Sequence, residues 1–173
     1  MLDMKTRYLF LVYFLIACSL LGVAYYFQYV QHLQPCPLCI MQRVAFYGIA
    51  VVSLIAFLHR QHQTKVYRIL LLIFAIFGLA IAARQSWIQH FPPADLSTGC
   101  GPNLAFMLQN FPLSQVLKTL FYGNGDCALV TWTFLKLSMA EWSALCFIGF
   151  IAILGTSMYT PILVQKNNKL HKV

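Results

Sequence analysis

Charged residues are scarce in this sequence of 173 residues: together they make up 9%, and only four residues are acidic. Soluble domains carry about 25% charged residues, so an ordinary water-soluble domain is excluded. Hydrophobic residues account for 60%. The net charge of +8 does not indicate nucleic-acid binding, because the basic residues lie at the ends of apolar runs rather than along one helical face. The composition therefore indicates an integral membrane protein.

Four apolar runs have roughly the length of about 20 residues that a membrane-spanning helix needs. We predict spans at about 8–29, 40–58, 66–84 and 142–163, with outer loops at about 30–39 and 85–141. The first run follows Lys5 and Arg7 like a signal peptide, but it is too long and lacks a small-x-small cleavage site. The sequence thus predicts an all-α membrane protein, in which residues 1–173 form a single domain, a four-transmembrane-helix bundle.

The distribution of lysine and arginine predicts the orientation of this bundle. With four spans, most of the twelve basic residues fall on one side. They are Lys5, Arg7, Arg60, Lys65, Arg68, Lys166, Lys169 and Lys172. By the positive-inside rule that side is cytoplasmic, so both termini lie in the cytoplasm and the two loops face outward.

The long second outer loop contains a stretch with helical periodicity. Its apolar residues recur at i, i+3, i+4, i+7 and i+8, and polar residues occupy the other face. They are Leu113, Val116, Leu117, Leu120 and Phe121. This pattern predicts a short amphipathic helix, which either lies on the membrane surface or packs against the loop itself.

The six cysteines sort by this topology. Two fall in the first outer loop, two in the second, and two inside spans one and four. In that order they are Cys36 and Cys39, Cys100 and Cys127, and Cys18 and Cys146. Four cysteines thus face an outer compartment, which permits stable disulfides where it is oxidising. We interpret the two inside the spans as small hydrophobic packing residues.

Cys36 and Cys39 form a Cys-x-x-Cys pair at the start of span two. If Cys39 opens that helix, the partial positive charge of the helix N-terminus favours its thiolate. Arg43 follows four residues later, so it shares the helical face and brings a permanent cation near the sulfur. Because Arg43 lies on the outer side, it is either a snorkelling anchor or a group that stabilises a thiolate or a bound anion.

Two outward-facing cysteine pairs together suggest a disulfide relay. In thiol–disulfide exchange a thiolate attacks a disulfide through a mixed disulfide, so an exposed pair can accept electrons from a protein dithiol. Glycine and proline around Cys100 indicate an exposed turn that another protein can reach. The sequence contains no flavin, haem or nucleotide motif, so a lipid-soluble oxidant is the natural final acceptor.

The chain resembles the disulfide bond formation protein B (DsbB) family over nearly its whole length. The motifs that carry the resemblance are Pro35-Cys36-Pro37-Leu38-Cys39 with Arg43, Cys100-Gly101-Pro102, Gly125-Asp126-Cys127-Ala128, and Trp132-Thr133-Phe134-Leu135 leading to Trp142. The resemblance implies a thiol:quinone oxidoreductase of the bacterial inner (cytoplasmic) membrane, with its redox loops in the periplasm.

The family resemblance also implies roles for individual residues. A reduced periplasmic thioredoxin-like thiol oxidase (DsbA-like) would attack the Cys100–Cys127 disulfide at Cys100, and Cys127 would then exchange with the Cys36–Cys39 disulfide. Arg43 would stabilise the Cys39 thiolate and a quinone, either ubiquinone or menaquinone, drawn from the membrane lipid. The positions where family members approach the quinone correspond to Gln89, His90 and Met139.

One departure from the family and two rival interpretations remain open. Some relatives carry an acidic residue where this chain has Gln42, and losing a carboxylate beside Arg43 would change the local electrostatics without abolishing the relay. One rival is a four-thiolate zinc module, although zinc sites usually draw on two close-spaced pairs. The other is an enzyme like vitamin K epoxide reductase, where the Cys-x-x-Cys pair is expected near a late helix.

Overall fold

The computed structural model describes residues 2–59, 64–92, 104–130 and 132–170. The helices in this part of the chain are α1 Leu2–Tyr29, α2 Pro37–Leu58, α3 Thr64–His90, α4 Leu104–Asn110, α5 Leu113–Tyr122 and α6 Met139–Leu170. A 3-10 turn, Gly125–Cys127, precedes a two-stranded antiparallel hairpin of β1 Thr133–Phe134 and β2 Leu137–Ser138. In the hairpin Thr133 pairs with Ser138, and Phe134 pairs with Leu137.

Four helices are long and apolar enough to cross a membrane. The qualifying segments are Arg7–Tyr29, Pro37–Leu58, Lys65–His90 and Met139–Ser157. No more than 39% of the most apolar window of any of them is buried within the protein, so part of each helix surface is left for lipid to cover. The predicted all-α, four-transmembrane-helix fold is confirmed.

Local sequence explains where the helices begin and end. Proline is well tolerated as the first residue of a helix, and α2 begins at Pro37, which places Cys39 in its first turn. The third membrane span was predicted at about 66–84, with Arg84 to His90 as the end of the helix at the outer interface, and α3 does end at His90. The first residue beyond it that cannot continue a helix is Pro92, so nothing in the sequence interrupts α3 earlier.

The helices pack in the order α1 on α2, α2 on α3 and α3 on α6. The core of the bundle is aromatic: Phe46 stacks on Phe147 with ring centroids 4.3 Å apart, and Tyr13 contacts Phe150 at 5.6 Å. A Cβ on Gly78 would lie 2.2 Å from the Phe147 ring, so this close approach of α3 and α6 requires glycine. The Tyr13–Phe150 contact joins α1 to α6.

The predicted amphipathic helix is present as α5. Its Val116 side chain is buried, and the helix packs against α2. Leu113, Leu117 and Phe121 form an exposed apolar stripe. The helix therefore uses one apolar side to dock on the bundle and leaves another side free to contact lipid.

Candidate active site

Three of the four cysteines predicted to be redox-active lie together. Cys36 caps the N-terminus of α2, and its sulfur lies 2.9 Å from that of Cys39. Cys127, at the end of the 3-10 turn, belongs to the same buried cluster and is 0% exposed. Residues far apart in the sequence thus form one sulfur cluster. Cys100 lies outside the described residues.

The loop after α5 carries Cys127 onto the start of α2. Arg84 Nη2 donates to the carbonyl oxygen of Tyr122 at 3.1 Å, which ties the end of α5 to α3. Gly123 then turns the chain with φ of 83°, a left-handed conformation that favours glycine. A Cβ at this position would lie 3.0 Å from Leu38 Cδ1 and 3.5 Å from Cys127 Sγ. The turn therefore passes too close to α2 to accept a larger residue without movement.

The hydrogen bond between Cys36 and Cys127 makes the two sulfurs chemically unequal. Together with the hydrogen bond to Cys39 and burial, it raises the pKa of Cys36 well above its usual range. The same bond lowers the pKa of Cys127 despite the opposing effect of burial, and backbone hydrogen bonds with Asn124 and Leu38 lower it further. Of these two sulfurs in the reduced cluster, Cys36 therefore keeps its proton and Cys127 is the one favoured as a thiolate.

Arg43 lies one helical turn after Cys39 and is held against α1. Its guanidinium donates to Gln28 Oε1 and, at 3.2 Å, to the carbonyl oxygen of Ala24. The same group lies over the Tyr25 ring, 5.1 Å from its centroid. These three contacts orient the cation within the bundle.

Two buried amides that the sequence reasoning did not assign to the site join the sulfurs to the rest of the bundle. Gln85 Nε2 donates to Cys39 Sγ at 3.2 Å and to Cys36 Sγ at 3.5 Å. Gln42 Nε2 in turn donates to Gln85 Oε1 at 2.7 Å. Gln42 had been noted only as a departure from the family. A signal for Gln85 was available, because Gln85 and Gln89 are spaced four apart and so share one face of α3.

A cavity of about 370 Å³ opens beside the sulfurs, between the cysteine-proximal parts of α1 and α6. Cys39 and Arg43 line it, as do Gln89 and Met139, two of the three positions taken over from the family. Much of the remaining wall is aromatic: Phe27, Phe46, Trp132, Phe134 and Trp142. The cavity therefore combines a flat-sided apolar wall with a few polar groups at one end, as is usual for small-molecule sites.

Gln89 and His90 occupy different environments although they are neighbours in sequence. Gln89 Oε1 is buried at the cavity and has no hydrogen-bond partner among the described residues. His90 lies outside that lining: its Nδ1 bonds the carbonyl oxygen of Ser86 at 2.9 Å, and its Nε2 lies 3.8 Å from Glu141 Oε1. The structure thus brings Gln89 and Met139 to Cys39 and places His90 elsewhere.

The two cysteines assigned to packing also differ. Cys18 is exposed on α1, on a surface that would face lipid. Cys146 on α6 is half-buried and lines the cavity. Its thiol is therefore within reach of a ligand in the cavity, whereas that of Cys18 is not among the lining groups.

Comparison with known proteins finds one family along most of the chain. A family model described as "Disulfide bond formation protein DsbB" matches residues 6–157. The protein named "Disulfide bond formation protein B" from Marinobacter nauticus is 46% identical over 154 residues, which cover 88% of this chain and 90% of that protein. The protein of the same name from Aromatoleum aromaticum is 44% identical over 156 residues, covering 89% and 92%. The matched region includes all four spanning segments and the sulfur cluster.

Proposed function

Because the chain belongs to the disulfide bond formation protein DsbB family, we propose that it is a thiol:quinone oxidoreductase. It reoxidises a periplasmic thioredoxin-like (DsbA-like) thiol oxidase and passes the electrons through two disulfides to a membrane quinone. The observation that carries the proposal is the contact of Cys127 with Cys36 beside a cavity that Cys39 and Arg43 line. Family membership supports the coarser statement, a membrane oxidoreductase in disulfide formation.

The contact of Cys127 with Cys36 supports its role as the sulfur that links the two pairs. When a partner thiolate attacks Cys100 of a Cys100–Cys127 disulfide, Cys127 leaves as a thiolate. Its contact with Cys36 directs it to that sulfur of the Cys36–Cys39 disulfide. Attack there forms a Cys36–Cys127 bond and releases Cys39 as a thiolate, so that one disulfide is exchanged for another and the electron pair moves toward the cavity.

Several groups stabilise negative charge on Cys39 once it is released. The sulfur lies in the first turn of α2, where the helix dipole favours an anion. It accepts a hydrogen bond from Gln85 Nε2 at 3.2 Å. Arg43 adds a permanent positive charge one turn away. Cys39 is therefore the sulfur of the pair best suited to face an electron acceptor.

The cavity suits a quinone. Its aromatic and aliphatic walls match a flat ring and a prenyl tail, and Arg43 would donate to a quinone carbonyl oxygen. Gln89 Oε1, an acceptor without a partner among the described residues, would accept a hydrogen bond from a hydroxyl group of the reduced ring. The chemistry that a bound ubiquinone or menaquinone supplies is acceptance of two electrons and two protons. Arg43 and Gln89 would hold the ring, and the walls would exclude water from Cys39.

The proposed location is the bacterial inner membrane, with both termini in the cytoplasm and the redox loops in the periplasm. The lysine and arginine distribution supports this orientation. The chemistry supports it as well, because disulfides persist in the periplasm and are reduced in the cytosol.

The test is quinone reduction by the purified protein in detergent, supplied with a reduced thioredoxin-like periplasmic partner. We expect turnover in the wild type and none in Cys100→Ser or Cys127→Ser, with Cys18→Ala as a control that keeps full activity. Absence of turnover in the wild type, with a competent partner and with both ubiquinone and menaquinone offered, would contradict the proposed function. Stoichiometric zinc in that inactive protein would instead favour a metal module.

A further inference from the structure

A row of hydrogen-bonding side chains runs from α6 to the sulfur of Cys39. Ser143 Oγ donates to Gln42 Oε1 at 2.5 Å. Gln42 Nε2 donates to Gln85 Oε1 at 2.7 Å, and Gln85 Nε2 donates to Cys39 Sγ at 3.2 Å. The row crosses from α6 through α2 to α3 and returns to the first turn of α2.

This row has a direction, because each amide presents an acceptor at one end and a donor at the other. When the Ser143 hydroxyl donates a hydrogen bond to Gln42 Oε1, the Gln42 N–H group faces Gln85 and donates to its carbonyl oxygen. The Gln85 N–H group must then face the sulfurs. Gln42 and Gln85 are 6% and 3% exposed, so bulk water is poorly placed to satisfy an amide that points the wrong way.

The opposite direction is also geometrically open. Ser143 Oγ lies 2.9 Å from the carbonyl oxygen of Ala140, which can accept the hydrogen bond from the hydroxyl instead. Gln42 would then donate to Ser143 and accept from Gln85, turning the Gln85 carbonyl toward Cys39. That oxygen already lies 3.6 Å from the sulfur, so a simple amide rotation exchanges donor for acceptor. The first direction suits a thiolate, and the second suits a protonated thiol.

We propose that Gln42 and Ser143 are positioning residues that aim the Gln85 N–H group at Cys39 and thereby stabilise its thiolate. Gln85 acts on the sulfur directly, and Gln42 and Ser143 act only through Gln85. The inference rests on the proposed function, in which Cys39 is the sulfur that faces the electron acceptor. Through this row of hydrogen bonds Ser143, a residue of α6, influences the reactivity of the Cys39 sulfur.

The experiment measures alkylation of Cys39 by limiting iodoacetamide in the fully reduced protein at fixed pH, without quinone or partner. The thiolate is the reactive form of cysteine. Losing a hydrogen bond to a charged group costs enough free energy to lower the thiolate population, and with it the alkylation rate, about tenfold or more. Mass spectrometry of the peptides gives the Cys39 rate, with Cys127 in the same molecule as internal reference. We expect Gln85→Met and Gln42→Met each to slow Cys39 about tenfold relative to Cys127.

The double variant separates positioning from general damage to the fold. If Gln42 acts through Gln85, then Gln42→Met adds nothing once Gln85 is methionine, so the two effects are strongly non-additive. Ser143→Ala is the mildest change and keeps the test available if a buried methionine disturbs folding. We expect it to slow Cys39 severalfold in the wild-type background and to have no effect in Gln42→Met.

A second readout is the equilibrium of the Cys36–Cys39 pair with glutathione in a Cys100→Ser, Cys127→Ser background. Losing a hydrogen-bond donor to the Cys39 thiolate should destabilise the reduced pair. The equilibrium constant for its reduction by glutathione should then fall about tenfold, which lowers the reduction potential by about 30 mV. Unchanged Cys39 reactivity in Gln85→Met, or additive effects of Gln42→Met and Gln85→Met, would overturn the inference. Neither assay contains quinone or partner, so these results are independent of whether the proposed function holds.

Discussion

Gly123 controls whether Cys127 reaches Cys36, and Gly123→Ala tests this. An L-residue at φ of 83° and ψ of 173°, a region that is essentially confined to glycine, costs about 1–3 kcal/mol. The added Cβ would also lie 3.0 Å from Leu38 Cδ1, so that either the side chain or the loop must move. We estimate the total strain at about 2 kcal/mol, which a movement of the loop, and of Cys127 with it, away from α2 would relieve.

The assay is oxidative cross-linking of Cys36 to Cys127 in a background where Cys39 and Cys100 are serine. A strain of about 2 kcal/mol lowers the population of molecules with the sulfurs in contact by at most about thirtyfold, and we expect cross-linking to slow within that limit. The matched control is Gly149→Ala on α6, where a Cβ meets nothing within 4 Å. Equal cross-linking rates in the two alanine variants would refute the reasoning that the turn at Gly123 positions Cys127.

Three further predictions test the site. Arg43→Met should raise the KM for quinone about tenfold and leave that for the partner unchanged, because a charge-assisted hydrogen bond is lost; an unaltered quinone KM would remove the role assigned to Arg43. Cys36→Ala should raise the pKa of Cys127, because the hydrogen bond that lowers it is lost. The pH profile of Cys127 alkylation should therefore move to higher pH, and an unchanged profile would contradict this. Cys18→Ala and Cys146→Ala should both stay active, but quinone should slow alkylation of Cys146 and not of Cys18, because of these two residues only Cys146 lines the cavity.

Much of the fold could be predicted because its signals are local. A membrane-spanning helix shows itself as a run of apolar residues, and α5 shows itself as apolar residues at helical spacing between Leu113 and Phe121. The relation of Cys39 to Arg43 is equally local, since a separation of four residues places both on one face of the helix that Pro37 begins. Such features depend on bonded geometry within a few turns.

The limits of prediction appear at the end of α3. The sequence predicts that Arg84 to His90 are the end of the helix at the outer interface, and α3 does end at His90, but this does not say which of its side chains face the cavity. Helix phase then separates neighbours: successive residues lie about 100° apart around the axis, so Gln89 reaches the cavity while His90 faces Glu141. No composition signal distinguishes these two polar residues.

The sequence by itself determined that this chain crosses a membrane four times and carries a Cys-x-x-Cys pair at the mouth of a helix. Tertiary structure decided what surrounds that pair: the arrival of Cys127 at Cys36, and the path of hydrogen bonds from Ser143 to Gln85. Those contacts join residues from different helices, and their geometry depends on how α2, α3, α5 and α6 pack. Such packing arises from the shapes of many side chains at once, as where Phe147 fits against Gly78, and so cannot be predicted from the spacing of any one motif.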